Sequence, residues 1–522
     1  FTDLDFCPRC GTSVYSDSKL IVYLLQKLGL EVDEVYIATD PDIEGEKIAY
    51  DVYTAISPFN QNIWRIELHE ITRSELLSAL NKKRHINWRL VEAEIYRRIL
   101  DRLVGFSLSA KLQRAFGSKN LGIGRVQGPL LDFVVKRYYE HLSSRCKKIC
   151  ISSREPVKLT VCTCLDSSEL VEKLRNTSTI ELVRLREELV EIAPKPPYTT
   201  EELLADASNK LGLQAEATMK IAQELYEAGL ITYHRTDCTY ISNTGISIAK
   251  TYLRGRGLEN FFTPRHWGEP GSHEAIRPVN PYDAEQLLRA TEEGLVQLVI
   301  PLTSKHLALY DLIFKRFIAS QMKPYRALKS RFKVVVNGFE IGELDLLVDI
   351  IDHGFDLVEK AKLYSELKNT ERAVLAVEST RVFNSSRIPL YTEGDLVLLM
   401  KTHGIGRPST YSKVIASLKR HGYIILSKVR QKVVPTKRGV LVHKYLVENY
   451  PKYLSVELTR RMERTIETIS RGELEVHDAV VEVVAELLEN NVLHASDLPA
   501  DLYSYVSLRL TSNTLTTNTH VL

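Results

Sequence analysis

The alternation of apolar and polar positions predicts both helices and strands along the whole chain. One-sided apolar patterns typical of amphipathic helices run over 16–28, 87–116, 216–228 and 393–403, with further helices before 421 and after 473. Short apolar or β-branched runs typical of strands fall at 34–38, between 147 and 191, at 331–336, at 373–383 and between 423 and 435. The pattern therefore predicts a multidomain α/β and α+β protein.

Strand-like segments occur on both sides of a largely helical stretch. They fill much of 147–191, stop at the stiff Pro-Lys-Pro-Pro segment 194–197, and return at 331–336 and 373–383. Helices occupy most of the chain in between. We therefore expect the separate strand-rich pieces to share one β-rich domain.

Length and composition fit a globular protein of several domains. The 522 residues predict about three to four domains, and the apolar content of 44% allows sizeable cores. The net charge of +3 is compatible with local basic patches but gives no basic tail. We find no apolar run near the roughly 20 residues of a membrane span and no signal peptide, so we expect a cytoplasmic protein with no membrane partner. The chain begins with Phe1 rather than methionine, which favours a fragment.

Two cysteines near the start have the spacing of half a zinc site. Cys7 and Cys10, in Cys-Pro-Arg-Cys-Gly, resemble a zinc knuckle, but tetrahedral Zn²⁺ needs four ligands and no second matching pair follows. Either the partner pair precedes Phe1 or the knuckle is empty. The seven cysteines are few and odd in number, which disfavours a secreted disulfide framework. We interpret those at 146, 150, 162 and 164 as buried thiols.

An acidic loop follows the first predicted strand. Residues 39–46 read Thr-Asp-Pro-Asp-Ile-Glu-Gly-Glu and lead into a helix, so the acids lie at the carboxyl end of a strand. Asp40, Asp42 and Glu44 alternate, and we expect them to converge on one Mg²⁺, which prefers carboxylate oxygens and waters. The alternative is an acidic helix start that complements the helix dipole.

A tyrosine close to an arginine is a candidate nucleophile. Residues 229–237 read Gly-Leu-Ile-Thr-Tyr-His-Arg-Thr-Asp, so Tyr233 and Arg235 project to one face if this segment is extended. A guanidinium can neutralise a phosphate that the phenolate attacks. The alternative is a tyrosine that only packs at a domain edge, since the chain has 25 tyrosines.

Two polar clusters in the first third are candidate phosphate contacts. Arg97 and Asp101 lie one helical turn apart and can pair, although an ordinary solvated helix face is the alternative. Arg125 and Gln127 lie in a glycine turn that leads into a helix start, where a backbone phosphate can bind. The spacing of the glycines differs from the dinucleotide-binding fingerprint, which argues against NAD.

Two more clusters follow the candidate nucleophile. His273 and Arg277 lie in one polar segment, for which a structural histidine is the alternative. Arg407, Ser409 and Thr410 lie in a tight turn between two helices that a hairpin follows, which is the outline of a winged helix-turn-helix and a frequent DNA-binding form. Basic residues near it would contact phosphates, namely Lys413, Lys419, Arg420, Lys428, Arg430 and Lys432.

Together these motifs resemble the type IA DNA topoisomerases. The acidic loop is similar to the metal loop of their TOPRIM domain, and 229–237 is similar to their nucleophile motif. Four further segments are similar to family motifs and occur in the family order, namely 97–106, 124–127, 273–278 and 404–411. The cysteine knuckle, the Pro and Lys variants of the acidic loop and His234 make the topoisomerase module of the reverse gyrases the most similar branch.

The resemblance implies a type IA toroid with a gate that opens. The implied domains are a partial TOPRIM domain with half a zinc knuckle at 1–70, a winged-helix-like DNA-groove domain at 71–143 and 393–490, a β-rich gate arch at 144–195 and 323–392, a domain with the nucleophilic tyrosine at 196–322, and a tail at 491–522. The implied chemistry is cleavage of one DNA strand by Tyr233, with Arg235 stabilising the phosphate and Mg²⁺ aligning the ends for religation.

The resemblance also implies partners. DNA would be the substrate, both single-stranded and as supercoiled duplex. Arg97, paired with Asp101, and also Arg125 and His273 would grip the single strand near the cut. ATP would act only through a helicase-like module, since this chain has no Gly-x-x-x-x-Gly-Lys-Ser/Thr loop.

One family feature is missing. The TOPRIM domain of the family begins with a strand that carries a Glu followed by a Lys, and this chain has neither. The alternatives to a reverse gyrase module are therefore an ATP-independent relaxing topoisomerase and a catalytically impaired DNA-binding fragment.

Overall fold

The computed structural model describes residues 19–271, 273–294, 296, 301–428 and 431–494, and its chain divides into two compact units. One unit is formed by 1–125 with 457–522, and the other by 126–456. The division into more domains given above stays a prediction. In these described ranges, no helix is long and apolar enough to cross a membrane.

The described helices and strands agree with most of the predicted ones. The helices are α1 (Lys19–Glu31), α2 (Ile43–Ile56), α3 (Arg73–Asn81), α4 (Trp88–Phe116), α5 (Gln127–Ser143), α6 (Ser168–Arg175), α7 (Thr200–Leu211), α8 (Ala215–Glu227), α9 (Asn243–Gly255), α10 (Ala284–Glu292), α11 (Ser304–Ser320), α12 (Glu393–His403), α13 (Tyr411–Arg420), α14 (Lys437–Asn449), α15 (Val456–Ser470) and α16 (Val476–Glu489). The strands are β1 (Val35–Ile37), β2 (Ile63–Arg65), β3 (Arg145–Ser153), β4 (Thr160–Leu165), β5 (Thr179–Ile192), β6 (Tyr325–Val336), β7 (Phe339–Asp352), β8 (Arg372–Ser386), β9 (Ile424–Leu426) and β10 (Val433–Pro435).

A short parallel pair of strands is the centre of the first unit. β1 pairs with β2, and α2 covers them so that Ile37, Ala49, Ile56 and Ile63 form a small core. The predicted strand–loop–helix unit is confirmed, and the acidic loop connects the carboxyl end of β1 to α2.

Helix α4 gives the first unit a long scaffold, because it runs for 29 residues and packs against both α2 and α16. The Asn87 side chain caps its first turn by accepting a hydrogen bond from the Arg89 N–H at 3.2 Å. Gly117 ends the helix in the left-handed conformation, with φ of 62°. Local capping thus fixes where this helix begins and ends.

A six-stranded antiparallel sheet lies in the second unit, with the order β4-β3-β8-β5-β6-β7. β3 to β5 precede the helices α7 to α11 in the chain, and β6 to β8 follow them. The expectation that separate pieces share one β-rich domain is therefore confirmed. One face of the sheet buries Ile149, Ile180, Phe332 and Val348.

Strand β7 and helix α6 were absent from the predictions. β7 carries many acidic residues, which disguise its alternation, and these pair with basic residues of β6, as in the 2.7 Å contact between Arg331 Nε and Asp345 Oδ1. Asn337 and Gly338 form the turn before β7 with φ of 50° and 80°, as a tight two-residue hairpin requires.

Four cysteines form two cross-strand disulfides. Cys150 lies opposite Cys162 in the pairing of β3 with β4 and is bonded to it, and Cys146 is bonded to Cys164. The interpretation of these residues as buried thiols was wrong. The spacing of cysteines in the sequence does not reveal the strand register that brings these pairs together.

Two helical parts of the second unit carry most of the predicted motifs. The tyrosine module (196–322) encloses its own core, in which Leu225, Ile276 and Phe317 are fully buried. The winged-helix module (393–435) has the predicted order of α12, tight turn, α13 and the hairpin β9–β10. Its turn uses Gly404 and Gly406 in the left-handed conformation, with φ of 63° and 77°.

Candidate active site

Tyr233 lies in an irregular segment after α8 and is almost completely buried, with 1% of its surface exposed. Its ring packs edge-on against Tyr226 at 5.2 Å between ring centroids and against His234 at 5.5 Å. The ring of His273 is 5.6 Å away, so the structure brings together the predicted nucleophile and the predicted polar segment 273–278. Arg235, two residues after Tyr233, is half-buried.

Thr232 fixes the segment on the side before the tyrosine. Its N–H donates to the Arg277 carbonyl at 2.9 Å, and its hydroxyl donates to the Ala275 carbonyl at 2.8 Å. The same hydroxyl accepts from the Arg277 N–H at 3.0 Å. Because backbone and side chain are both bound, rotation of the chain just before Tyr233 is restricted.

Thr200, at the start of α7, fixes the segment on the other side. Its hydroxyl donates to the His234 carbonyl at 2.7 Å and accepts from the Thr236 N–H at 2.8 Å. Its own N–H donates to the Thr236 carbonyl at 2.8 Å. The residues on both sides of Arg235 are thereby held by a helix that the sequence motif does not contain, and sequence reasoning missed this anchor.

His234 is neutral in this arrangement. Burial, together with the nearby positive charge of Arg235, lowers the pKa of His234 to about 3. At neutral pH Arg235, two residues after Tyr233, therefore supplies the positive charge of the segment 229–237.

Arg277 has a structural position. Its side chain is 2% exposed and donates to Glu274 at 2.7 and 3.2 Å and to the Pro278 carbonyl at 3.1 Å. Burial raises the pKa of Glu274, but the charge and hydrogen bonds of Arg277 and the Ser242 N–H lower it by more, so this carboxylate stays ionised. The geometry favours an internal brace for the 273–278 segment over the predicted DNA contact of Arg277.

In the first unit, the acidic loop is shaped by a buried arginine. Arg65 donates to the carbonyls of Thr39 at 2.9 Å and Asp40 at 2.8 Å. Gly45 lies so close to this loop that a Cβ there would come within 1.9 Å of the Asp40 carbonyl oxygen. Asp42 caps α2 by accepting from the Gly45 N–H at 2.7 Å. The loop backbone is thus fixed from both sides.

Glu46 completes this support. Its carboxylate, 1% exposed, accepts from Arg65 at 3.0 Å, from Arg84 at 2.7 and 2.8 Å and from the Asn87 N–H at 2.6 Å. Burial raises the pKa of Glu46, but these donors together lower it by more. No sequence pattern signals this network, since its members are far apart in the chain and only the fold brings them together.

The predicted Mg²⁺ ligands lie on this loop. Asp40, Asp42 and Glu44 are half-buried, and no group of three or more His, Cys, Asp or Glu side chains within the described ranges could hold a metal ion by itself. The predicted convergence of all three carboxylates is therefore not seen. The loop nevertheless fits Mg²⁺, because this ion binds through one or two carboxylates together with waters and substrate phosphates. Cys7 and Cys10 lie outside the described residues.

Helix α4 presents a charged network next to this loop. Arg97 donates to Asp101 at 3.2 Å, which confirms the predicted pair, and to Glu94 at 2.6 Å. Arg125 donates to Asp101 and to Glu463 at 2.6 Å each and is only 5% exposed. Burial lowers the pKa of Arg125, but both carboxylates raise it by more. The main role of Arg125 is therefore to orient Asp101, which in turn pairs with Arg97.

Phe106 is an exposed aromatic residue of α4 at the end of the predicted segment 97–106, but the sequence analysis gave it no role of its own. It is 73% exposed and lies four residues after the exposed Arg102, on the same helical face. An exposed ring next to a cation is an arrangement suited to a stacked base and its phosphate. A large apolar side chain within a charged helix was the signal that could have identified it.

The remaining predicted site residues lie in the second unit. Gln127 donates to the Ser417 hydroxyl at 3.1 Å, and the Thr410 hydroxyl accepts from the Arg407 N–H at 2.8 Å. Arg407, Ser409 and Thr410 are half-buried at the start of α13. The tight turn thus holds all three predicted residues close together.

Among the basic residues that were predicted to contact phosphates near this turn, Lys419 and Arg430 differ from the rest. Lys419 pairs with the buried Glu393 at 2.7 Å instead of facing a free surface. Arg430 lies outside the described residues.

Comparisons with known proteins agree with this geometry. A family model described as DNA topoisomerase matches residues 85–481, and a model of the Toprim domain matches residues 5–71. Full-length topoisomerase I from Thermotoga maritima has a similar structure, with a TM-score of 0.69 and 30% identity over 92% of this chain and 82% of that chain. The chain belongs to the type IA DNA topoisomerases.

Within this family the chain is similar to the reverse gyrases. Reverse gyrase 2 of Aeropyrum pernix is 44% identical over 498 residues, and the reverse gyrase of Pyrococcus furiosus is 42% identical over 487 residues. These alignments cover 94% and 92% of this chain but 40% and 39% of the relatives. The chain thus spans about two fifths of the length of these curated relatives, and the resemblance seen in its motifs is confirmed.

Proposed function

We propose that this chain is the DNA-cleaving part of a type IA topoisomerase that cuts one strand, passes DNA through the break and reseals it. The observation that carries the proposal is the fixed tyrosine segment: Thr232 and Thr200 hold it on both sides. Arg235 follows Tyr233 by two residues in this segment. A rigidly held phenol in a segment that also carries a guanidinium suits nucleophilic attack on a phosphodiester.

In the proposed reaction the Tyr233 oxygen attacks phosphorus as the phenol loses its proton. The bond from phosphorus to the 3′ oxygen breaks, a 5′-phosphotyrosine forms, and the released 3′ oxygen takes up a proton. Arg235 stabilises the negative charge that develops on the phosphate, while the neutral His234 contributes no positive charge. The reverse reaction reseals the strand without ATP, since the covalent bond conserves the free energy of the phosphodiester.

Mg²⁺ would be held by carboxylates of the acidic loop, Asp40, Asp42 and Glu44, and would supply positive charge that orients DNA phosphates. Arg65 and Glu46 would keep the loop backbone in the shape that this requires.

Each unit would contribute its own contacts to single-stranded DNA. In the first unit Arg97 and Arg102 would contact phosphates, Phe106 would stack on a base, and Arg125 would orient Asp101. In the second unit the candidates are Gln127, His273, Arg407, Ser409 and Thr410.

For the whole protein we propose ATP-dependent positive supercoiling, supported by the similarity to reverse gyrases over nearly all of this chain. A helicase-like module elsewhere in that protein would use the ATP. Cys7 and Cys10 would bind Zn²⁺ together with a second cysteine pair. The second candidate is ATP-independent relaxation, which the similarity to a topoisomerase I favours.

A labelled oligonucleotide tests the proposed chemistry. With the complete protein, a 3′-labelled single strand should become covalently attached, whereas a 5′-labelled strand should release a free fragment with a 3′ hydroxyl. Tyr233→Phe should abolish attachment and leave strand binding near normal, and Tyr226→Phe, which alters the neighbouring ring, serves as the matched control. Attachment by the Tyr233→Phe variant, or attachment of the 5′ label, would overturn the proposal.

A further inference from the structure

The two disulfides lie on the face of the sheet that points away from its core. Side chains alternate along a strand, so Cys146, Lys148 and Cys150 of β3 project to one face. The opposite face of β3 carries Ile149, which is buried in the core of the sheet. The register of β3 with β4 and β8 therefore gathers six residues on one surface, which we call the cysteine face: Cys146, Lys148, Cys150, Cys162, Cys164 and Arg381.

The two ends of the Cys150–Cys162 disulfide differ in exposure. Cys150 is 7% exposed and lies in β3, which has a neighbouring strand on each side. Cys162 lies in β4, at the edge of the sheet, and is exposed. In the other disulfide Cys146 is buried and Cys164 is half-buried. Among these four residues, Cys162 is therefore the one that a reagent in solution reaches most easily.

Two cations flank the Cys150–Cys162 disulfide. Arg381 of β8 is directly opposite Cys150, and Lys148 lies two residues before Cys150 on the same face. Within the described ranges neither cation forms an ion pair, whereas every charged residue of β6 and β7 does. Asp166, which directly follows β4, is already paired with Arg387 at 2.6 Å. The cysteine face thus carries positive charge that the described protein groups leave available to a ligand.

We infer that the cysteine face is a site of thiol–disulfide exchange for small anionic thiols, and that they attack the sulfur of Cys162. The attacking group in such an exchange is a thiolate. Lys148 and Arg381 attract a thiol that carries a carboxylate, and they also favour the thiolate form of Cys150, which leaves. The inference is independent of the proposed function, since it involves neither DNA nor Tyr233.

The exchange has two steps. In the first step the sulfur of the small thiolate bonds to Sγ of Cys162, the Cys150–Cys162 bond breaks, and the electron pair stays on Sγ of Cys150. In the second step another small thiolate attacks the small-molecule sulfur of this mixed disulfide, and Sγ of Cys162 leaves as a thiolate. Two small thiols are thereby oxidised to one disulfide, and their two electrons and two protons reduce the cysteine pair to two thiols.

The first step by itself is a modification of the protein. It places an anionic group on the edge strand β4, while the Cys146–Cys164 disulfide still joins β3 to β4. The backbone pairing of these strands, from Lys147 with Leu165 to Ser152 with Thr160, does not depend on the broken bond. We therefore expect the modified chain to stay folded.

Mass spectrometry of the full chain after brief exposure to a thiol tests the inference. The anionic probe is 3-mercaptopropionate and the neutral probe is 2-mercaptoethanol, and acid quenching with alkylation of free thiols shows which cysteine carries the adduct. We expect it on Cys162, with Cys150 alkylated. Rates are expressed per thiolate and relative to those with a small neutral disulfide. The anionic probe should then react about threefold to tenfold faster at low ionic strength, and the two rates should converge at about 1 M salt.

Two adjacent lysines of β3 give a matched pair of variants. Lys148→Gln removes a charge from the cysteine face and should lower the ratio of the two rates about threefold. Lys147→Gln removes the same charge from the opposite face of the strand and should leave the ratio nearly unchanged. Equal effects of the two variants would overturn the inference, as would equal rates for the wild type at low ionic strength or an adduct found mainly on Cys146, Cys150 or Cys164.

Thermal unfolding shows whether each variant is folded. If Lys148→Gln does not fold, the wild type decides by two measurements, the position of the adduct and the dependence of the rate ratio on salt. An adduct on Cys162 with a ratio that falls as salt is added supports the site. A ratio that salt does not change refutes the attraction by the cations.

Discussion

Arg125 and Glu463 are 338 positions apart in the chain, yet Nη1 of the arginine lies 2.6 Å from Oε1 of the glutamate, and both side chains are 5% exposed. The pair joins the end of the glycine turn after α4 to α15. Since α15 belongs to the second chain segment of the first unit, this contact connects the two segments from which that unit is built.

Loss of this pair should destabilise the protein strongly. Glu463→Met removes one of the two carboxylates that pair with the buried Arg125 and leaves only Asp101, so we expect a loss of about 1.5–3 kcal/mol in the free energy of unfolding. Glu486→Met is the matched control, because Glu486 pairs with the mostly exposed Arg461 and should cost at most about 1 kcal/mol. Denaturant unfolding gives both values, and equal losses would contradict the assigned role.

Arg65→Lys should distort the acidic loop although it keeps the charge. A lysine cannot replace the planar fork that reaches the carbonyls of Thr39 and Asp40 together with Glu46. We expect the variant to melt at a lower temperature than the wild type. If Mg²⁺ raises the melting temperature of the wild type, it should not raise that of the variant. Arg73→Lys, at an exposed position, is the control, and a normal Mg²⁺ response of Arg65→Lys would count against the support role.

Asp40→Asn combined with Asp42→Asn should impair Mg²⁺-dependent religation and relaxation by the complete protein. After Asp42→Asn the side chain at the start of α2 can still cap the helix through its amide oxygen, so we expect the first turn of α2 to stay folded. The deficit should be greatest at limiting Mg²⁺ and is measured as the yield of relaxed plasmid. Unchanged relaxation at limiting Mg²⁺ would reject the metal role of these acids.

The burial of His234 should make stability depend on pH. Its pKa of about 3 in the folded chain lies below its ordinary value of 6.5, so the unfolded chain binds this proton first. The stabilisation is complete above pH 6.5 and is lost as the pH falls toward 3. At pH 5 the free energy of unfolding should therefore be about 2 kcal/mol lower than at neutral pH. His234→Phe should lack this loss between pH 7.5 and 5, and His477→Gln, at an exposed position, should retain it. Equal slopes for wild type and His234→Phe would contradict this prediction.

Phe106 and Arg102 should affect single-strand binding in different ways. Phe106→Ala removes a stacking surface, so the affinity should fall by about 1–3 kcal/mol at every salt concentration. Arg102→Gln removes a phosphate contact, so the slope of log affinity against log salt should decrease by about 0.7. Titrations of an oligonucleotide from low to high salt distinguish the two, and a changed slope for Phe106→Ala would refute the stacking role.

Elements with local signals were predicted well from the sequence. Helix α12 begins at Glu393 and ends at His403 as predicted, because the Thr392 hydroxyl caps its start and Gly404 takes the left-handed conformation at its end. The strand–loop–helix unit around Asp40 is set by a similar local sequence of strand, turn and cap. In both cases the deciding interactions lie within a few residues of one another.

Features that depend on distant contacts were missed. The Cys146–Cys164 disulfide needs the register of two strands, and the bonds from Thr200 to His234 and Thr236 join positions 34 and 36 residues apart. Arg277 was identified as part of a motif, but only the structure shows that it points inward to Glu274. Sequence patterns thus located the tyrosine segment, while its supports depend on the fold.

The strand order of the sheet has a consequence for synthesis. β8 lies between β3 and β5, so the sheet stays incomplete at its centre until the ribosome has delivered residues 372–386. The tyrosine module, whose core is drawn almost wholly from 198–327, emerges earlier and can fold before that point. A nascent chain that ends near 330 should therefore already protect the module from protease, while the unpaired edges of β3 and β5 remain exposed and prone to aggregation until β8 arrives.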